Sequence, residues 1–174
     1  MFARRDFKAH LKNPDASNQP PIDNDAMQFG QLYRSDAVLD APGDRPPPMR
    51  PERWTGHPGT RAPHLWLTRQ GERISTLDLF QHEWILLSES DAWSKYMEQA
   101  RQALQLSIKH VHIGVDVQPE DLTAFRDAFG ISSKGASLVR PDGYVAWRTF
   151  DTPSDPRAAL EKSLRQASFG KGKD

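Results

Sequence analysis

The sequence contains no cysteine among its 174 residues. That absence rules out disulfides, zinc–thiolate centres, iron–sulfur clusters and thiol catalysis. Small secreted proteins usually carry disulfide staples, so a reducing, cytoplasmic setting is expected. There is no net charge either: Lys plus Arg equals Asp plus Glu at 23 each, leaving no global field to attract nucleic acid or an anionic membrane. The same neutrality leaves copies with little mutual repulsion, so a homo-oligomer is not opposed. No stretch approaches the roughly 20 apolar residues of a membrane helix. Met1-Phe2-Ala3-Arg4-Arg5-Asp6 has no apolar run behind its charges, so it does not read as a secretory signal.

Proline, by contrast, is plentiful and unevenly placed. Ten of the 14 prolines precede Leu65, with clusters at Pro20-Pro21 and Pro46-Pro47-Pro48. Proline fixes φ and drives the preceding residue out of the α region, so residues 1–57 are expected to form an irregular, extended leader. A short helix over Ala3–Leu11 and a small strand over Gln31–Val38 are its expected regular pieces.

After the leader the texture changes. His64-Leu65-Trp66-Leu67 signals a short strand and Gly71-Glu72-Arg73 a turn. Ser75 is placed to cap a short helix through Phe80. Trp84-Ile85-Leu86-Leu87 is a continuous apolar run, the mark of a strand buried on both faces. Ser90 or Asp91 then opens a helix whose apolar face is Trp93, Met97, Ala100 and Leu104. Ile108–Val115 is expected to be a second buried strand, with Val111, Ile113 and Val115 inward. Pro119 and Glu120 are expected to open a helix with Leu122, Phe125 and Phe129 on its buried face, stopped by Gly130. Ala136–Arg140 and Tyr144–Thr149 form a hairpin around Pro141-Asp142-Gly143. Asp155-Pro156 starts a last helix with Leu160 and Leu164 inward, and residues 170–174 are expected to be a disordered tail. The order predicts an α/β domain over residues 58–169, a thioredoxin-like mixed sheet flanked by helices and lacking the redox cysteines.

Several segments, taken in order, resemble a known family. They are Pro58-Gly59-Thr60-Arg61-Ala62-Pro63-His64-Leu65-Trp66-Leu67, Ser75–Phe80, Trp84–Leu87, and Ser137-Leu138-Val139-Arg140-Pro141-Asp142-Gly143-Tyr144-Val145-Ala146-Trp147-Arg148. Together they are similar to the C-terminal domain of FAD-dependent aromatic-ring hydroxylases of the phenol 2-monooxygenase type. Gln28–Val38 resembles the end of the domain that precedes it there. The resemblance implies an accessory region that helps hold subunits or domains together, with a flavin-binding catalytic domain or subunit as partner. It also implies FAD and NADPH as cofactors of the parent enzyme. This sequence departs from the parent pattern in lacking the G-x-G-x-x-G cradle for a pyrophosphate, and its Gly43-Asp44 lies among prolines. No cofactor is therefore expected on this chain itself, and no catalytic residue.

Candidate sites divide between chemical and structural readings. His110 and His112 share a strand face and can in principle chelate a metal, but no third ligand is evident; solvated or partner-facing histidines are the more common outcome. Asp78 and Asp116 sit at element ends, suited to an acid–base pair or, more commonly, to fixing backbone N–H groups. Ser132-Ser133-Lys134-Gly135 resembles a loose phosphate nest or a plain polar loop. Trp84 belongs to an apolar run and is assigned to the core. One of Trp147 and Arg148 should face outward. Arg61, His64, Trp66, Trp147 and Arg148 make the candidate interface, since tryptophan and arginine are over-used at such surfaces. A free-standing interaction module and a cysteine-free enzyme of the same fold are the alternative readings.

Overall fold

The structure, a computed structural model, describes residues 56–169. The expected leader helix, leader strand and C-terminal tail lie outside the described residues. The elements are β1 (Trp66–Arg69), β2 (Glu72–Ser75), a 3-10 turn (Thr76–Leu79), β3 (Trp84–Ser88), α1 (Ala92–Leu104), β4 (Ile108–His112), β5 (Gln118–Pro119), α2 (Leu122–Phe129), β6 (Ala136–Val139), β7 (Val145–Thr149) and α3 (Pro156–Phe169).

The main sheet has four strands in the order β4-β3-β6-β7. β3 and β4 are parallel, as the intervening helix α1 requires. β6 runs antiparallel to β3 and to β7. This is the expected thioredoxin-like mixed sheet. The apolar run of β3 serves two cores at once. Leu86 packs with Trp93, Ala100, Leu138, Trp147, Leu160 and Leu164 beneath α1 and α3. Ile85 and Leu87 face the other way, with Val111, Val139, Phe125 and Phe129 beneath α2. The period-two alternation of a strand buried on both faces produces this split.

A second, three-stranded sheet of order β2-β1-β5 covers the α2 side. Its hairpin turns through Gln70 and Gly71, both at positive φ (51° and 86°), as a tight two-residue turn demands. Of the turn read at Gly71-Glu72-Arg73, Gly71 lies in the turn, whereas Glu72 and Arg73 begin a strand that the sequence did not reveal.

Two expectations fail locally. The second buried strand ends at His112, not Val115: Gly114 turns the chain at φ 89° and Val115 is 71% exposed. Pro119 does not open a helix. It pairs with Leu67 in β5, an edge strand where a missing N–H is tolerated. Asp121 caps α2 instead, accepting from the Thr123 and Ala124 amides at 2.8 and 2.9 Å, and Leu122 lies exposed. Gly130 stops α2 at φ 60°, as expected. Ser75 caps the 3-10 turn, accepting from Leu77 N at 3.0 Å.

Candidate functional site

The sequence-derived interface residues occupy separate places. Trp66 stands exposed on the outer face of the small sheet, with the Arg73 guanidinium 4.0 Å above its ring and His64 edge-on at 4.9 Å. Glu120 holds Arg73 in place with two contacts of 2.7 and 3.3 Å. His64 is fixed in turn by its Nδ1, 2.7 Å from Ser75 Oγ. Arg61 lies beside the β6–β7 hairpin, bridged to Tyr144 with its guanidinium 5.2 Å from that ring.

Trp147 is at no surface: it is 7% exposed, inside the α1–α3 core against Trp93. Arg148, its neighbour, is half-buried. Its Nη2 donates to the His57 ring at 3.3 Å, and its Nη1 reaches the Phe129 carbonyl at 3.5 Å. Of the pair expected to split between core and surface, Arg148 is thus the more exposed. Residues 59–62 pair with the start of β7 and the turn before it, through Gly59 N to Val145 O, Val145 N to Thr60 O and Ala62 N to Gly143 O. Trp84 is partly buried and packs on the α1–α3 core, as assigned.

The opposite edge of the main sheet is different. An open cleft of about 560 Å³ runs between β4 and α1, lined by Asp91, Ser94, Arg101, Lys109, His110 and His112 among others. His110 Nε2 lies 2.7 Å from Ser88 Oγ, and its Nδ1 lies 2.7 Å from Ser94 Oγ. His112 stacks on it with centroids 5.7 Å apart and donates from Nε2 to the Glu89 carbonyl at 2.8 Å. Both histidines therefore spend ring nitrogens on protein oxygens. Among the described residues no group of three or more His, Asp or Glu side chains is arranged to hold a metal ion. Ser88 and Ser94 were not singled out from sequence. They lie 22 and 16 residues from His110 and meet it only through the β3–α1–β4 crossover.

The remaining candidates act on backbone. Asp78 accepts the Ser75 amide and Asp116 the His112 amide, each at 2.8 Å. In the Ser132–Gly135 loop, Ser132 Oγ accepts Lys134 N and Ser132 O accepts Gly135 N. The Lys134 carbonyl is held by Trp93 Nε1 and Thr152 Oγ1, each at 3.0 Å. This loop is a knot of internal hydrogen bonds.

Burial holds the His57 and His110 imidazoles below their usual range. Arg148 adds to the effect at His57, and His112 adds to it at His110, against the opposing pull of Asp116 and Asp91. A histidine whose folded value is depressed binds its proton more readily when unfolded. The stability it contributes is complete above about pH 6.5 and is lost as the pH falls below that. Depressed carboxylates act lower: the hydrogen bonds from Arg101 hold Glu98 at about 2. The urea midpoint at pH 5.5 should accordingly lie below that at pH 7.5. An equal or higher midpoint at pH 5.5 would contradict this assignment.

A flavin dinucleotide needs free amides at a helix N-terminus for its pyrophosphate. The helix starts described here present carboxylates instead. Asp121 already occupies two amides of α2, Asp155 accepts Ala158 N at the start of α3, and Asp91 stands at the start of α1. These residues do not fit a dinucleotide.

The family model described as aromatic-ring hydroxylase, C-terminal, matches residues 55–171. A 4-methyl-5-nitrocatechol 5-monooxygenase from a Burkholderia species is 36% identical over 151 residues, covering 83% of this chain and 28% of the relative. A putative polyketide hydroxylase from Streptomyces halstedii is 41% identical over 150 residues, covering 80% and 26%. A solved aklavinone-11 hydroxylase, in complex with FAD and aklavinone, superposes with a TM-score of 0.77 at 36% identity, covering 86% of this chain and 28% of that one. The chain thus spans about a quarter of the length of the relatives it matches. It belongs to the family of aromatic-ring hydroxylase C-terminal domains.

Proposed function

We propose that this chain is the accessory C-terminal region of an FAD- and NADPH-dependent aromatic monooxygenase of the phenol-hydroxylating type. Flavin chemistry then takes place in a partner domain or subunit, and this region supports association, including association between copies. The observation that carries the reading is the family match over residues 55–171, combined with coverage of only about a quarter of each relative. Arg61, His64, Trp66 and Arg148 are the side chains offered to the partner. Trp66 is the best prepared of them, because Arg73 and Glu120 already hold its surroundings in one geometry and little further ordering is needed on binding.

The purified chain, supplied with NADPH and a panel of phenols, should show no oxidation of the nicotinamide above a protein-free blank. Substrate-stimulated oxidation that tracks the amount of chain would contradict the accessory role.

A further inference from the structure

His110 sits between the first turn of α1 and the last residue of β3, and its protons can be assigned from its neighbours. Ser88 Oγ lies 3.0 Å from the Ser90 carbonyl, an acceptor with no proton to give. The single Ser88 proton goes there, so Ser88 meets His110 Nε2 as an acceptor and Nε2 carries a hydrogen. A neutral imidazole has only one N–H, which leaves Nδ1 as a lone pair that accepts the Ser94 hydroxyl. Ser94 Oγ also lies within donating distance of Asp91 Oδ1 at 3.2 Å, but that carboxylate is 84% exposed and water serves it, so while the ring is neutral the Ser94 proton goes to the shorter contact at Nδ1.

Adding one proton reverses this order. Both ring nitrogens then donate, Ser94 Oγ accepts from Nδ1, and the Ser94 proton turns to the Asp91 carboxylate. No hydrogen bond is lost; one changes direction and one is gained. The charged groups facing His110 are Asp91 from the start of α1, Asp116 from the turn after β4, and His112 on its own strand. Ser88, from β3, is uncharged. Asp91 also lies 4.0 Å from His112 Nδ1.

We propose that His110, Ser94 and Asp91 form a proton-operated switch at the mouth of the β4–α1 cleft. With His110 neutral, the Ser94 hydroxyl donates from α1 to β4. With His110 protonated, that contact reverses, Ser94 donates to the Asp91 carboxylate at the start of its own helix, and the cleft gains a positive charge. The switch is independent of the accessory role and stands whether or not that role holds.

The test is long-range proton–nitrogen NMR of the imidazoles in the full 174-residue chain, followed through the titration of His110. Neutral His110 should appear as the Nε2–H tautomer. Asp91→Asn should lower its midpoint by about 0.5 pH unit, through loss of a favourable charge. That shift should at least halve in a Ser94→Ala background, because the relay runs through the hydroxyl. The Asp91 side chain is 84% exposed, so Asp91→Asn leaves the core intact. A neutral Nδ1–H tautomer, or an Asp91→Asn shift of the same size with and without Ser94, would overturn the proposal.

Discussion

Trp93→Ala should destabilise the fold by about 3–5 kcal/mol, the range for deleting a large aromatic side chain from a core. Trp93 is 1% exposed and sits where three elements meet. Its ring packs edge-on against Trp147 of β7 at 6.1 Å and against Tyr96 of its own helix at 5.9 Å. Its Nε1 donates to the Lys134 carbonyl, so the loop before β6 also hangs on it. Truncation leaves a cavity the sheet cannot collapse into, because β3 and β6 are fixed by ladders on both sides. Thr152 still satisfies the Lys134 carbonyl, so the loss is mainly one of packing. Urea unfolding of the two proteins measures this directly. A loss below about 1 kcal/mol, the size of a surface change, would show that the indole is not the keystone of this core.

The second large effect is expected at Gly135. A Cβ placed there would run into the backbone carbonyls of Thr149 and Phe150, neither of which is the yielding end of a flexible side chain. Gly135→Ala must therefore push β7 away from the start of β6, next to the Ala136–Thr149 pair. Overpacking of this kind costs about 1–3 kcal/mol, and a wall made of backbone places the cost toward the upper end. Gly143→Ala is the control. Nothing lies within 4 Å of its Cβ position, so its cost comes only from its φ of 81°. Thermal melts should rank Gly135→Ala below Gly143→Ala; the reverse order would mean that β7 adjusts freely.

Much of the main sheet was legible because its signals are local. The run Trp84–Leu87, the helix face of Trp93 and Ala100, and the turn at Pro141-Asp142-Gly143 each specify an element within a few residues. The failures have a different origin. Val115 continues the alternation of Val111 and Ile113, but Gly114 and the Asp116 side chain, which takes the His112 amide, turn the chain before the pattern completes. Pro119 carries a helix-start signal, yet pairing with Leu67, some fifty residues earlier, claims it for a strand. β2 was missed because Gln70 occupies positive φ, a conformation seldom assigned to glutamine from sequence.

The candidate sites show the same division. Asp78 and Asp116 lie close to the amides they accept, and fixing backbone N–H groups was already one of their two readings. Arg73 over Trp66, its anchor Glu120 47 residues away, and the serines around His110 arise from tertiary contact alone. Trp147 was placed with the interface because one of Trp147 and Arg148 had to face outward and both residue types are over-used at such surfaces. In β7 that alternation instead buries Trp147 under α1 and α3 and leaves Arg148 on the α2 side.

The central proposal is that the described residues of this polypeptide, a domain of the hydroxylase family, offer no seat for its flavin. Equilibrium dialysis of the purified chain against FAD, read by the visible absorbance retained on the protein side, addresses it most directly. The account predicts no flavin retained beyond the buffer compartment. Retention of one FAD per chain, with the shifted spectrum of a bound isoalloxazine, would contradict it.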